Sequence, residues 1–435
     1  MSILITSVKP FGGESTDIAI DGGRIVPHVD NPDTTIDGSG LIALPGLVDL
    51  HTHLREPGKE DAETVLTGSQ SAARGGYTCV HAMANTQPVA DNAGVVEQVW
   101  NLGRQAGYTE VVPIGAVTVG QEGTALAELG AMASSAAGVR IFSDDGLCVH
   151  DPLLMRRALE YVKSFNGIIA QHAQEPRLTE GAQMNEGVVS AELGLPGWPA
   201  VAEEAIIARD ILLAEHVGSR LHVCHLSTKG SVELVRWAKS RGVNVTAEVT
   251  PHHLMLTDEL VRSYDPVYKV NPPLRTEADV KAVRDGLADG TIDIVGTDHA
   301  PHTAEHKCAE WTAAAMGMVG METALAIVVE AMKDHDFDWH DVARVMSTRP
   351  AEISGLTTHG SLEEGAAANI VLIDPAAELT IEPNDHATLG RNNPFKGFKV
   401  DTQVVHTFLY GAHVVQNGEL AEPHPISGGG QAWID

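Results

Sequence analysis

Residues 46–58 read GLVDLHTHLREPG. The apolar run Leu47-Val48-Asp49-Leu50 ends in two histidines one residue apart, then Arg55, then a Pro-Gly stop. Successive side chains of a strand point to opposite faces, so His51 and His53 share one face. A buried strand that ends in such a pair suits an α/β barrel, where chemistry gathers at the C-terminal strand ends. Both histidines then point into a barrel mouth.

The same rhythm recurs along the chain. Apolar runs rich in Val and Ile end in polar residues at 46–53, 77–85, 111–118, 138–146, 167–175, 220–227, 243–253 and 292–302. Helical patterns lie between them, as at 60–74, 152–163 and 203–216. Strands alternating with helices imply right-handed parallel crossovers, and eight such units predict a (β/α)8 TIM-type barrel. A doubly wound open sheet is the alternative, but it would carry a Gly-rich phosphate loop after its first strand, and none is present. Both chain ends instead read as short strands with tight turns, through DIAIDGGRIV near the start and NIVLIDP and AHVVQNG near the finish. We expect a small β-sandwich domain built from residues 1–45 and 365–435, flanking a barrel over 46–364.

Composition narrows the function classes. The chain has 435 residues, 43% apolar and 20% charged, which is ordinary for a globular α/β protein. No apolar run approaches the roughly 18 residues of a membrane span. The opening MSILITSVKPFGG lacks the basic start and long apolar core of a secretory signal. Cys79, Cys148, Cys224 and Cys308 form no CxxC pair, so a reducing, cytoplasmic setting is expected and finger-type zinc is not. The formal charge of −29 disfavours nucleic acid and anionic membranes as partners. An anionic substrate would need local cations, which screening over about 8 Å permits.

The strand ends carry a pattern of their own. Strand one ends in His51 and His53, strand four in Asp144 and Asp145, strand five in His172, strand six in His225 and strand eight in Asp298. With 21 histidines, chance pairs are expected, and HxH alone is weak. Five strands ending in ligand types are a stronger signal. Imidazole and carboxylate suit zinc, with cobalt or manganese as substitutes. The donors outnumber what one tetrahedral ion needs, so two ions about 3.5–4 Å apart are expected. His252, His253 and His302 also end strands, and read as groups behind the ligands or facing substrate.

Four motifs in order, HTHLREPG, MANTQP, KVNPPLR and GTDHAPH, resemble the class I dihydroorotase family, in the cyclic branch of the amidohydrolase superfamily. The resemblance runs from about residue 40 to about 420. It implies that His51, His53 and Asp298 bind the more buried zinc ion, and His172 and His225 the second. Many relatives bridge the ions with a carboxylated lysine on strand four. GVRIFSDDG has no lysine, and in class I enzymes an aspartate bridges. Spacing back from His172 favours Asp145, with Asp144 as the alternative. For substrate, the resemblance implies that Arg55, Asn85 and His302 hold a carboxylate, that His53 also contacts the substrate, that Asn271 meets the ring amides, and that the Met316-Gly317 backbone meets the ring. Relatives often carry an aromatic residue at Met316 and a proline at Ala84. A bidentate arginine reads a planar carboxylate well, and the bland alternative for Arg55 is a surface pairing with Glu56 or Glu60.

The implied reaction is the reversible closure of N-carbamoyl-L-aspartate to L-dihydroorotate plus water in pyrimidine (UMP) biosynthesis. A metal-bound hydroxide would attack, with Asp298 as proton shuttle. A homodimer is implied, and association with aspartate carbamoyltransferase is left open. Hydantoinase or allantoinase is the rival activity, against which Arg55 and Asp145 both speak. A non-catalytic assembly partner of the transferase would have lost ligands, and here all are present. The segment 303–316 after His302 is the candidate closing loop.

Overall fold

The computed structural model describes residues 2–426. Each quoted run forms a strand: β1 (Leu47–Thr52), β2 (Tyr77–Ala82), β3 (Glu110–Pro113), β4 (Ile141–Phe142), β5 (Ile168–Gln171), β6 (Arg220–Val223), β7 (Val245–Val249) and β8 (Ile294–Val295). Parallel pairing links β1-β2-β3 in one arc and β4-β5-β6-β7-β8 in another. Parallel bridges Gly115 to Phe142 and Thr52 to His299 join the arcs and close the ring.

A helix follows every strand: α1 (Val65–Arg74), α2 (Ala93–Ala106), α3 (Leu129–Ser134), α4 (Pro152–Lys163), α5 (Val201–Val217), α6 (Lys229–Ser240), α7 (Glu277–Ala288) and α8 (Ala324–Ala331). Local chemistry sets their limits. Asn92 caps α2 by accepting from the Gly94 and Val95 N–H groups, and Thr276 caps α7 reciprocally with Asp279. On α4 the buried residues Met155, Ala158, Leu159 and Val162 follow the i, i+3, i+4, i+7 stripe that faces a core.

One apolar cluster draws Val48, Leu50, Cys79, Val112, Ile141, Ile168, Ala170 and Ile294 from six strands, so it fills the barrel interior. Ala351 and Ile353, from the helix Arg349–Ser354, join it. The floor is therefore packed, and only the C-terminal rim is left for chemistry.

Strands from both chain ends form a single nine-stranded sheet. They meet where Ile42–Pro45 runs antiparallel to Ile370–Asp374, with Ile370 opposite Pro45. The chain passes from this sheet to β1 through Gly46, where a Cβ would lie 2.3 Å from the Thr78 side chain. Among the described residues no helix is long and apolar enough to cross a membrane.

Candidate metal centre

Six buried side chains converge at the rim. Asp145 stands among the histidines: its Oδ1 lies 3.3 Å from His51 Nε2, 3.3 Å from His172 Nδ1 and 3.2 Å from His225 Nε2, and its Oδ2 lies 3.3 Å from His53 Nε2. Asp298 Oδ1 adds a contact of 3.0 Å to His53 Nε2 and lies 3.6 Å from His51 Nε2. Two donor triads result, His51–His53–Asp145 and Asp145–His172–His225, and Asp145 belongs to both. Asp144 faces away, accepting from the Val117 and Thr118 N–H groups and the Thr118 hydroxyl, which fixes the loop after β3.

Backbone irregularities aim these groups. The β1–β2 register shifts between Asp49 and Thr52, so the end of β1 departs from the regular pleat. His225 (φ 30°), Asp298 (φ 46°) and Arg55 (φ 63°) take left-handed backbone that ordinary residues avoid. Such strain persists only where the surroundings impose it, and it clusters at functional sites.

The far side of three of the four rings is held. His51 Nδ1 meets Glu248 Oε1 at 2.5 Å, His53 Nδ1 meets Asn85 Oδ1 at 2.9 Å, and His172 Nε2 meets Gln174 Oε1 at 2.8 Å. Each acceptor fixes an N–H on its own side, so that the other ring nitrogen, once unprotonated, is a lone pair facing inward. His51 Nε2 is buried without a hydrogen-bond partner. The His172 Nδ1 and His225 Nε2 atoms are 2.8 Å apart, so a proton or a cation must relieve two facing lone pairs. This donor set fits a metal ion.

Burial would push both carboxyls up. At Asp145 the charge of His51 and the bonds from His172 and His225 outweigh it and hold the group well below the usual carboxylate range. At Asp298 the bond from His53 and the charges of His51 and His53 bring it down to about 2. Both are anionic at neutral pH, as ligands must be.

The expected substrate groups line the same rim. Arg55 is 8% exposed, and its Nε donates to Pro301 O at 3.1 Å. It forms no ion pair among the described residues. Glu56 accepts from Val65 N and Glu60 from Gly58 N, so neither is its partner. Burial lowers the Arg55 guanidinium to about 10, opposed by the charges of Asp298 and Asp145, and it stays charged. His302 donates from Nε2 to Met316 O at 2.8 Å. Asn271 donates to Gln174 Oε1 at 3.1 Å while its own Oδ1 is buried and unpartnered. Gly317 has φ 143°, and a Cβ there would lie 2.8 Å from His302 Nε2. Behind the rim, His253 is tied by Thr250 Oγ1 and Pro272 O, and His252 keeps an unpartnered buried Nε2.

Three supporting acids escaped sequence reasoning. Glu248 on β7 accepts from His51, from His222 Nε2 at 3.1 Å and from the His225 N–H at 3.1 Å. Asp49 on β1 accepts from the His51 and Thr297 N–H groups. Glu63 accepts from His299, the neighbour of Asp298, at 3.3 Å and from Thr388. For Glu248 and Asp49 the available signal was an acid inside an otherwise mainly apolar strand run, as in VTAEV and LVDLHT.

Comparison with known proteins agrees with this geometry. A family model described as "Dihydro-orotase-like" matches residues 40–231, and one described as "Amidohydrolase family" matches 233–415. The dihydroorotase of Streptomyces coelicolor is 64% identical over 423 residues, covering 96% of this chain and 99% of that protein. The dihydroorotase of Mycobacterium tuberculosis is 52% identical over 428 residues, covering 97% and 100%. Among solved structures, the L-hydantoinase (dihydropyrimidinase) of Arthrobacter aurescens superposes with a TM-score of 0.86 at 23% identity, covering 97% of this chain and 98% of that one. The dihydropyrimidinase of Brevibacillus agri gives 0.84 at 23% identity, covering 98% and 97%. At that identity the likeness speaks for the amidohydrolase barrel alone.

Proposed function

This chain belongs to the dihydroorotase family of the amidohydrolases, and from that premise we propose that it catalyses the reversible closure of N-carbamoyl-L-aspartate to L-dihydroorotate plus water in pyrimidine (UMP) biosynthesis, using two zinc ions. His51, His53 and Asp298 would hold the deeper ion, His172 and His225 the outer one, and Asp145 both. When bound, the ions would supply Lewis acidity, to polarise the amide carbonyl and make water acidic enough to attack near neutral pH.

The protein's own groups do the rest. Asp298 accepts a proton from the attacking water and passes it to the leaving ring nitrogen; in the closing direction it starts protonated. Arg55, with Nε engaged by Pro301 O, turns its two terminal nitrogens to the substrate carboxylate as a fork. Asn85 keeps its amide N–H groups for the same carboxylate while its oxygen orients His53. His302 completes that contact, Asn271 and the Met316-Gly317 backbone meet the ring, and segment 303–316 closes over it.

The observation that carries this reading is Asp145, a carboxylate 3.2–3.3 Å from histidines of both triads where a hydantoinase would use lysine, with the unpaired cation Arg55 at the same rim. The test is hydrolysis of dihydroorotate, hydantoin and allantoin by purified protein whose metal content is measured in parallel. Dihydroorotate should be the substrate, with about two metals per chain. Preference for a neutral ring would overturn the assignment.

We read the terminal sheet as a small β-sandwich formed by residues 1–45 and 365–435, around a barrel over 46–364; residues 427–435 lie outside those described. A single apolar cluster shared by Ile5, Ile20, Ile370, Leu372 and Phe408 supports two layers. A cytoplasmic homodimer, free to associate with aspartate carbamoyltransferase, completes the proposal.

A further inference from the structure

Two lysines are buried beside the site without a carboxylate partner. Lys269 is 3% exposed and Lys307 6%, and neither forms an ion pair among the described residues. An isolated buried ammonium is costly unless its donors are satisfied. Each carries three donors. Lys269 Nζ donates to Trp311 O at 2.6 Å, Thr312 O at 3.3 Å and Ala314 O at 2.9 Å. Lys307 Nζ donates to Lys269 O at 2.8 Å, Ala315 O at 3.0 Å and Gly317 O at 2.7 Å. Six donors thus meet six backbone carbonyls, five of them in the segment 311–317.

That arrangement has a direction. The carbonyls of Ala315 and Gly317 turn inward to Lys307, which leaves the intervening Met316 O to accept from His302. Lys269 O also accepts from the Gly317 N–H at 2.9 Å. Asn271 lies two residues beyond Lys269. The lysines therefore join the two segments assigned above to the substrate ring. Trp311 anchors the far end of the loop, buried among Met184, Val189 and Val261. Burial and the Lys269 charge push the Lys307 amine down to about 7, while its three carbonyl acceptors favour the ammonium.

We propose that Lys269 and Lys307 are positioning residues that set the Met316-Gly317 backbone against Asn271 and tether the 303–317 loop over the bound ring. The role rests on the dihydroorotase reading above. A pair kept only for stability would be better served by apolar side chains of similar volume. What the ammonium groups add is direction, since each fixes three carbonyls at once.

The test uses the full-length, zinc-loaded protein and its Lys307→Met and Lys269→Met variants. Three quantities are read: bound metal, KM and kcat for dihydroorotate, and amide exchange across 309–317. For Lys307→Met, KM should rise about tenfold or more while kcat changes by less than about threefold. Exchange in the loop should accelerate about tenfold with the barrel strands unchanged. Lys269→Met should show the same split. Unchanged KM, or a fall in kcat accompanied by metal loss, would overturn the proposal. So would failure of both variants to fold, which would make the lysines supports of the core. An inactive wild type would sink the functional reading and this inference with it; an active wild type with unaltered variants would sink the inference alone.

Discussion

The carboxylate of Glu248 offers a sharp test of how the centre is held. It accepts from His51 Nδ1, from the His225 N–H and from His222 Nε2, and so supports one histidine of each triad. Glu248→Gln keeps the shape and one acceptor oxygen. That oxygen can still serve His51 and His225. The new amide would face His222 Nε2, and the imidazole can answer by moving its proton to Nδ1, where Thr246 Oγ1 waits at 2.8 Å. The fold is therefore spared, and the main loss is charge assistance to His51. A charge-assisted hydrogen bond is worth roughly twice a neutral one, so the change weakens the His51 contact by about 1–1.5 kcal/mol. That corresponds to about a tenfold rise in the zinc dissociation constant. It sits at the lower edge of the roughly 10–100-fold effects found for groups behind metal ligands. Competition titration of the metal-free protein against a fluorescent zinc chelator reads it directly, beside a melting curve of the same sample. An unchanged constant would refute the reasoning. So would a large drop in the melting point without metal, which would make Glu248 a strut of the fold. Glu248→Ala should behave differently: it strands three buried donors at about 1–3 kcal/mol each and should fail to fold stably.

Asp298→Asn should abolish turnover while metal stays bound, because the amide oxygen can coordinate but cannot take a proton; retained activity by dihydroorotate assay would remove the shuttle role. Arg55→Ala should raise KM for dihydroorotate by one to two orders of magnitude, about 1.5–3 kcal/mol for a charged hydrogen-bonded contact, with a smaller effect on kcat. An unchanged KM would take Arg55 out of carboxylate recognition. Glu322 tests a pH effect away from the centre. Burial raises its carboxyl from 4.5 to about 7, against the pull of Arg74 at 3.6 Å and the Ala387 and Thr388 N–H groups. Below 4.5 both folded and unfolded chains hold the proton and nothing is lost. As pH rises from there to about 7 the unfolded chain ionises first, so the folded state progressively loses up to about 3 kcal/mol, a loss complete by about pH 7 and constant above it. Glu322→Gln should therefore raise the denaturation midpoint of metal-free protein at pH 8 and leave it nearly unchanged at pH 4; an equal shift at both would discard the explanation.

The barrel was legible because parallel strands bury both faces, and their sequence becomes a continuous apolar run that stops where the rim begins. Five of the eight runs end in the residues that now face one another: His51 and His53, Asp145, His172, His225 and Asp298. Run length was less legible. The stretches 138–146 and 292–302 yield only the two-residue strands β4 and β8, since the chain bends early to bring Asp145 and Asp298 inward. The candidate donors could be picked out because each lies at a strand end, a position the local sequence marks. Glu248, Glu63 and the bond from His53 to Asn85 could not. Their meaning depends on partners 32 to 325 residues away. Lys307 is the extreme case: in the polar stretch HTAEHK a lysine reads as solvated, and only the folded loop reveals that it is buried.

The charge distribution explains how a protein of formal charge −29 can accept an anion. Exposed cations here are largely spent on neighbouring acids, as in Arg262 with Glu259 and Glu192 or Lys333 with Glu330 and Asp401. Arg55, Lys269 and Lys307 are the opposite: buried, near one rim, and without carboxylate partners. Two divalent ions held by Asp145 and Asp298 would add a further net positive charge there. Screening over about 8 Å hides this field from the outer surface but not from a ligand already in the mouth. A neutral cyclic amide would gain little from it, whereas a ring bearing a carboxylate would gain at every contact. On the proposed reading, selection between the hydantoinase-like and dihydroorotase-like uses of this barrel would lie with Arg55, buried at the rim without a carboxylate partner of its own.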